Sequence, residues 1–154
     1  MTDSVSQEGS QRKQVVLFFA AVFCMSAGIG IHDSLFNNFL SETFSLSATH
    51  RGWLELPRET PGFLVFVTAG LLAALPVTRV GTVGALTLTL GMVGMAFLGC
   101  SFPLMIAAML MGSTGMHLLQ PVGSSVAIAL TDEKNRGRRM GEMGAFDTVG
   151  VVMG

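Results

Sequence analysis

Apolar residues run through this chain in long continuous stretches rather than alternating with polar ones. Four stretches stand out: Val15 to about Leu40, Gly52 to about Leu75, about Val80 to Gly99, and about Pro103 to Leu130. An α-helix needs about 20 such residues to cross a hydrocarbon core of about 30 Å, so each stretch predicts a membrane span. Strands are excluded, because a membrane barrel reads as segments of about 10 residues with polar and apolar positions alternating. The predicted class is all-α, a polytopic transmembrane helix bundle over residues 15–154.

The polar breaks divide the pattern. Residues 1–14, MTDSVSQEGSQRKQ, lack aromatic residues and read as a disordered tail. Arg12 and Lys13 before an apolar run resemble a signal peptide, but the run continues past any small-residue cleavage site, so an uncleaved first helix is expected. Ser41–Arg51 reads as a break and Thr131–Glu142, TDEKNRGRRMGE, as a charged loop. The second stretch opens with GWLELPRETPG and becomes fully apolar only from Phe63. From Met143 a fifth apolar helix begins; its last 12 residues rise only about 18 Å, so an incomplete span over 143–154 is expected, in a chain truncated within it. Small residues four apart suit close helix contacts: Ser26/Gly30, Ala108/Gly112 and Gly150/Gly154.

Composition sharpens this picture. The 154 residues are 50% hydrophobic and only 12% charged, against about 25% charged in soluble domains, and the mean hydropathy is +0.60. A net charge of -1 excludes the basic excess expected of a nucleic-acid binder. Cys24 and Cys100 match neither a disulfide framework nor a metal pattern and read as small buried hydrophobes. No nucleophile elbow, phosphate loop or metal-protease signature is present, so no enzymatic activity, cofactor or metal is expected.

Lysine and arginine set the predicted orientation. If the four stretches alternate in direction, Arg12, Lys13, Arg79, Lys134, Arg136, Arg138 and Arg139 all fall on one side. That places the N-terminus in the cytoplasm of a multi-pass protein of the plasma or inner membrane.

Ionisable residues inside apolar spans cost a few kcal/mol each on insertion scales and are functional candidates by default. Here they are His32 and Asp33, with Asn37 and Asn38, in the first span; Glu55, Arg58 and Glu59 in the second; His117 and Gln120 in the fourth; and Asp147 in the fifth. Asp33 has two readings, proton or substrate coupling, or a static partner for Arg58. Asn37, four residues on, shares a helix face with Asp33 and reads as a hydrogen-bond donor to a polar solute or as a headgroup-zone residue. Glu55 and Glu59, also four apart, flank Arg58 in an expected charge cluster between Pro57 and Pro61, which either binds a charged solute or forms an internal ion-pair network. His117 reads as one half of a proton relay with His32, or as a hydrogen-bonded interior residue.

The turn ALPVTRVGTV (Ala74 to Val83) resembles the loop signature of the major facilitator superfamily, with Arg79 and Gly81 carrying the match. Ala74, Thr78, Thr82 and Val83 depart from it where the pattern has Gly, Asp and a basic pair. The segment Gly112 to Gly154 is similar to that family's Gly-rich fourth helix with its proline, followed by an Arg-Gly-Arg loop and a Gly-studded fifth helix. Arg136, Gly137, Arg138 and Gly141 carry this second match. The arginine that drug–proton antiporters place upstream is replaced here by the stretch AAMLM. The resemblance implies a bundle of two six-helix halves made of inverted three-helix repeats, with solute bound near the midplane. Gly30-Ile31-His32 and Gly115-Met116-His117, 85 residues apart, show the weak internal similarity such a repeat predicts.

The resulting expectation is the N-terminal part of a secondary active transporter, moving a small solute by alternating access with ion or proton coupling. Its expected partners are the lipid bilayer, the solute and further C-terminal transporter helices. The alternative is a small stand-alone membrane protein with a structural or partner-binding role, oligomerising through its small-residue faces.

Overall fold

The computed structural model describes residues 2–72 and 74–154. Met1, in the predicted tail, and Ala73, in the predicted second span, lie outside the described residues. The elements are α1 (Thr2–Phe44), α2 (Ala48–Phe63), α3 (Val65–Leu71), α4 (Val77–Leu98), α5 (Phe102–Ala129), a 3₁₀ turn (Glu133–Asn135) and α6 (Arg136–Met153). Among the described residues there is no strand.

Three helices are long and apolar enough to cross a membrane, over Gly9–Phe44, Val77–Leu98 and Phe102–Ala129. They mark a membrane protein. Large apolar side chains remain exposed along the chain, Phe66 at 71% and Phe97 at 81% among them. Contiguous exposure of this kind is a liability in water and suits contact with acyl chains.

The first helix is longer than the pattern predicts. It contains no proline, so nothing in its sequence interrupts the hydrogen-bond ladder, and it takes in the polar residues 2–14 assigned to a tail. It ends where Ser45 adopts a left-handed φ of 53°, the usual way a helix is stopped at its C-terminus.

The expected second span, 52–75, is not one helix. It is α2, 16 residues long, followed after Leu64 by α3, 7 residues long. Pro57 and Pro61 lie inside α2; each removes a backbone donor and crowds the carbonyl four residues earlier. The ladder gives out two residues after the second proline.

The predicted loop 131–142 is also corrected. Only its first part is irregular, and α6 begins at Arg136. The reason is local: Glu142 accepts from Arg138 Nε and from Arg139 Nη1, both at 2.9 Å, at helical spacings of four and three. Arg136, Gly137, Arg138 and Gly141 therefore belong to a helix rather than a loop, and so do Arg79 and Gly81, in the first turns of α4.

The chain divides into two compact units, one of Met1–Ser34 with Ser124–Gly154, the other of Leu35–Gly123. In the first, α1 and α6 meet along small residues. A Cβ on Gly150 would lie 2.8 Å from Ser26 Cβ, and one on Gly30 or Gly154 would run into the backbone of Val151 or Ala27. Ser26/Gly30 and Gly150/Gly154 are thus two sides of one seam. Phe19 stacks on Phe146 at 4.7 Å beside it, and Arg139 lies over Phe19 at 5.4 Å.

In the second unit, α4 and α5 approach as closely. A Cβ on Gly91 would strike the backbone of Gly112, and one on Gly115 would lie 2.6 Å from the Gly84 carbonyl. Ala108, one turn before Gly112, completes the strip against Gly94. Phe36 and Leu40 of α1 pack with Met105 and Met109 of α5 as the buried cluster. In lipid, where tails are as apolar as leucine, such close packing rather than water exclusion holds helices together.

Candidate functional site

The most connected group of ionisable residues lies between α2 and α5, within the second unit. The head of α2 is fastened first. Ser47 caps it, accepting from the His50 backbone N–H at 3.4 Å, and its hydroxyl lies 2.9 Å from His50 Nδ1. Arg51 Nη1 donates to the Asn37 carbonyl at 2.7 Å. These contacts set α2 against the end of α1.

One turn on, Glu55, Arg58 and Glu59 fall on one helix face. Arg58 Nε lies 2.8 Å from Glu55 Oε2 and 3.6 Å from Glu59 Oε1. Glu59 has a second neighbour from another helix, since its Oε2 is 3.4 Å from His117 Nε2. His117 is buried, with 9% of its surface exposed. Two further contacts press α2 onto α5. Ser113 Oγ donates to the Arg58 carbonyl, close to the two prolines, where a neighbouring helix hydroxyl often satisfies backbone opened by a break. Gly62 lets the imidazole lie directly on the α2 backbone: a Cβ there would be 2.7 Å from His117 Cε1.

The remaining sequence-predicted residues have other surroundings. His32 Nδ1 pairs with Asp33 Oδ1 at 3.1 Å, and the Asp33 side chain is about half exposed, at 48%. Both belong to the first unit and His117 to the second, so each histidine has a carboxylate within its own unit. Asn37 and Gln120 are exposed. Asp147 accepts from Ser26 Oγ at 2.5 Å, part of the α1–α6 seam.

Of the residues that carried the loop resemblance, Arg79 is exposed, and a Cβ on Gly81 would lie 3.1 Å from Val122 Cγ1. Arg136 pairs with Glu133 at 3.5 Å. Arg138 and Arg139 share Glu142, and open space surrounds Gly137 and Gly141. A polar recess of about 260 Å³ opens beside them, between Gln11 and the side chains of Asp132, Asn135 and Arg138.

Sequence reasoning named Glu59 and His117 separately and missed their pairing, as well as the parts of Ser113 and Gly62. One signal was available for Ser113. It precedes His117 by four residues and so shares its helix face. Compared with protein-family models, with curated proteins and with solved structures, the chain matches none.

Proposed function

We propose that this chain works in a secondary active transporter of the major facilitator type, moving a small solute across a cell membrane by alternating access. The observation that carries the reading is the Glu55–Arg58–Glu59 cluster on a proline-broken helix, backed by a buried histidine of a membrane-length helix. Ionisable groups are expensive at membrane depth and persist there when they serve a solute or an ion. A broken helix beside them supplies backbone able to change shape, which transporters use around midplane sites.

The family assignment draws on the two loop resemblances and on the repeated Gly-x-His segments. The cytoplasmic N-terminus draws on the distribution of Lys and Arg. The small-residue faces that would serve a stand-alone oligomer face one another inside the chain instead, Ser26/Gly30 against Gly150/Gly154, which favours transport over the structural alternative.

The test uses vesicles carrying the protein of the whole reading frame, with uptake of labelled amino acids, sugars and organic ions measured under imposed proton and sodium gradients. Concentrative uptake of one class, lost in Glu59→Gln, is the expected result. No uptake of any class under either gradient overturns the proposal. Asp33→Asn is run alongside: unchanged gradient-driven uptake removes Asp33 from coupling.

A further inference from the structure

The polar recess of about 260 Å³ lies wholly within the first unit, where the ends of α1, α5 and α6 come together. Its wall includes Gln11 of α1, Leu130 just past the end of α5, and Asp132, Arg138 and Arg139. Along α1 the polar head gives way to a continuous apolar run at Val15, and the apolar run of α5 closes at Leu130. Both borders fall at the recess, which sets it at the level where lipid headgroups meet acyl chains. Little more than a turn further along α1, Val16 and Leu17 are 60% and 69% exposed.

Donors and acceptors in this wall are unequally engaged. Glu142 has both carboxylate oxygens taken, by Arg138 Nε and Arg139 Nη1 at 2.9 Å, and Asp132 accepts from Asn135 Nδ2 at 3.1 Å. Among the described residues Arg138 spends only its Nε, which leaves the Nη hydrogens unspent on a side chain 79% exposed. The Gln11 side chain is exposed, and Arg139 Nε has no hydrogen-bond partner. Charge points the same way. Residues 8–14 carry two cations and one acid, and residues 131–142 carry four and three. No side chain caps α6 at Asn135, so the positive end of its dipole adds to the excess. Spare N–H groups beside a positive excess match an anion with several acceptor oxygens.

We infer that the recess holds the headgroup of an anionic phospholipid, whose phosphate oxygens accept from Arg138 Nη and the Gln11 amide while its acyl chains run along α1 past Val16 and Leu17. The occupant is a lipid rather than a soluble phosphate because the recess lies at the border of the apolar surface, with Leu130 in its own wall. Lys134 and Arg136, both exposed, add attraction to an anionic leaflet. Basic residues that only orient a chain in the membrane attract any negative surface; a site selects a headgroup at one place. The inference needs the membrane setting alone and stands apart from the transport reading.

The experiment titrates the full chain, purified in a nonionic detergent, with phosphatidylglycerol and with phosphatidylcholine of the same acyl chains, and counts bound lipids by native mass spectrometry. The first phosphatidylglycerol is expected to bind at about tenfold lower concentration than phosphatidylcholine. Arg138→Gln should weaken that binding about fivefold. Gln11→Leu keeps every charge but removes a donor, and should weaken it about threefold; it carries the test should Arg138→Gln fail to fold. Arg79→Gln removes an exposed cation that lines no part of the recess, and should leave binding unchanged.

Equal affinity for the two lipids overturns the site. Equal weakening by Arg79→Gln and Arg138→Gln overturns it as well, since the attraction is then a property of the whole charged surface. Glycerol 1-phosphate, a phosphate ester without acyl chains, is the competitor. If it displaces phosphatidylglycerol at comparable concentration, the occupant is a soluble phosphate and the lipid is overturned. None of these measurements involves a transported solute, so their failure leaves the transport reading standing, and absence of uptake leaves the headgroup site standing.

Discussion

The same short pattern, glycine, an apolar residue and histidine, occurs once in each unit. In the first, His32 lies beside Asp33, its neighbour in sequence, and the acid is half exposed. In the second, His117 is buried and meets Glu59 across 58 residues of chain, on another helix. Gly30 lies against the α6 backbone and Gly115 against that of α4, so the glycines do comparable packing work. The histidines do not share a setting. What separates them is the partner each helix receives: α6 brings the backbone of Val151 to its glycine, whereas α2 brings a cluster of charges to His117. A local motif therefore says where a helix can be approached closely, and the approaching helix decides the chemistry.

Substitutions can break or sharpen this contrast. The largest effect is expected where backbones nearly touch. Gly91→Leu in the second unit and Gly150→Leu in the first each place a side chain against main chain, and should cost about 3 kcal/mol or more, seen as loss of the monodisperse peak in detergent. Gly144→Ala is the control, because nothing lies within 4 Å of an added Cβ there; it should raise thermal stability by up to about 1 kcal/mol through helix propensity.

The histidines come next. His117→Ala removes a buried ring and strips Glu59 of a partner, for an expected loss of about 2 kcal/mol. His32→Ala should stay under about 1 kcal/mol, because its pair is partly exposed and screened. Equal losses in thermal unfolding would erase the distinction between the two units. Ser26→Ala deletes the donor to Asp147 and should cost about 1 kcal/mol. Smallest is Arg138→Ala: its side chain is 79% exposed, and a surface pair of this spacing is expected to contribute less than about 0.5 kcal/mol.

Much of this was legible in the sequence, for identifiable reasons. Length and continuity of apolar runs report lipid exposure directly, so the stretches that became α1, α4 and α5 could be read from the pattern. The pairs Ser26/Gly30, Ala108/Gly112 and Gly150/Gly154 were recognisable as contact strips, because spacing by four is a property of any helix. Which strip faces which was not. Pro57 and Pro61 were visible in the second stretch, but the end of α2 at Phe63, two residues after the second proline, was not. The helical start at Arg136 was hidden by glycine and charge, since Glu142 bonds two arginines only once the turn has formed.

The sequence by itself determined that this is an all-helical membrane protein and which ionisable residues would be expensive to keep within it. Hydropathy and helical spacing are short-range quantities that a linear pattern contains. Only tertiary structure decided that Glu59 meets His117, that Ser113 bonds to the backbone of α2, and that Gly62 is the position that admits the imidazole. Those contacts join residues 55 to 58 positions apart, and their geometry depends on how helices cross, which no local pattern encodes.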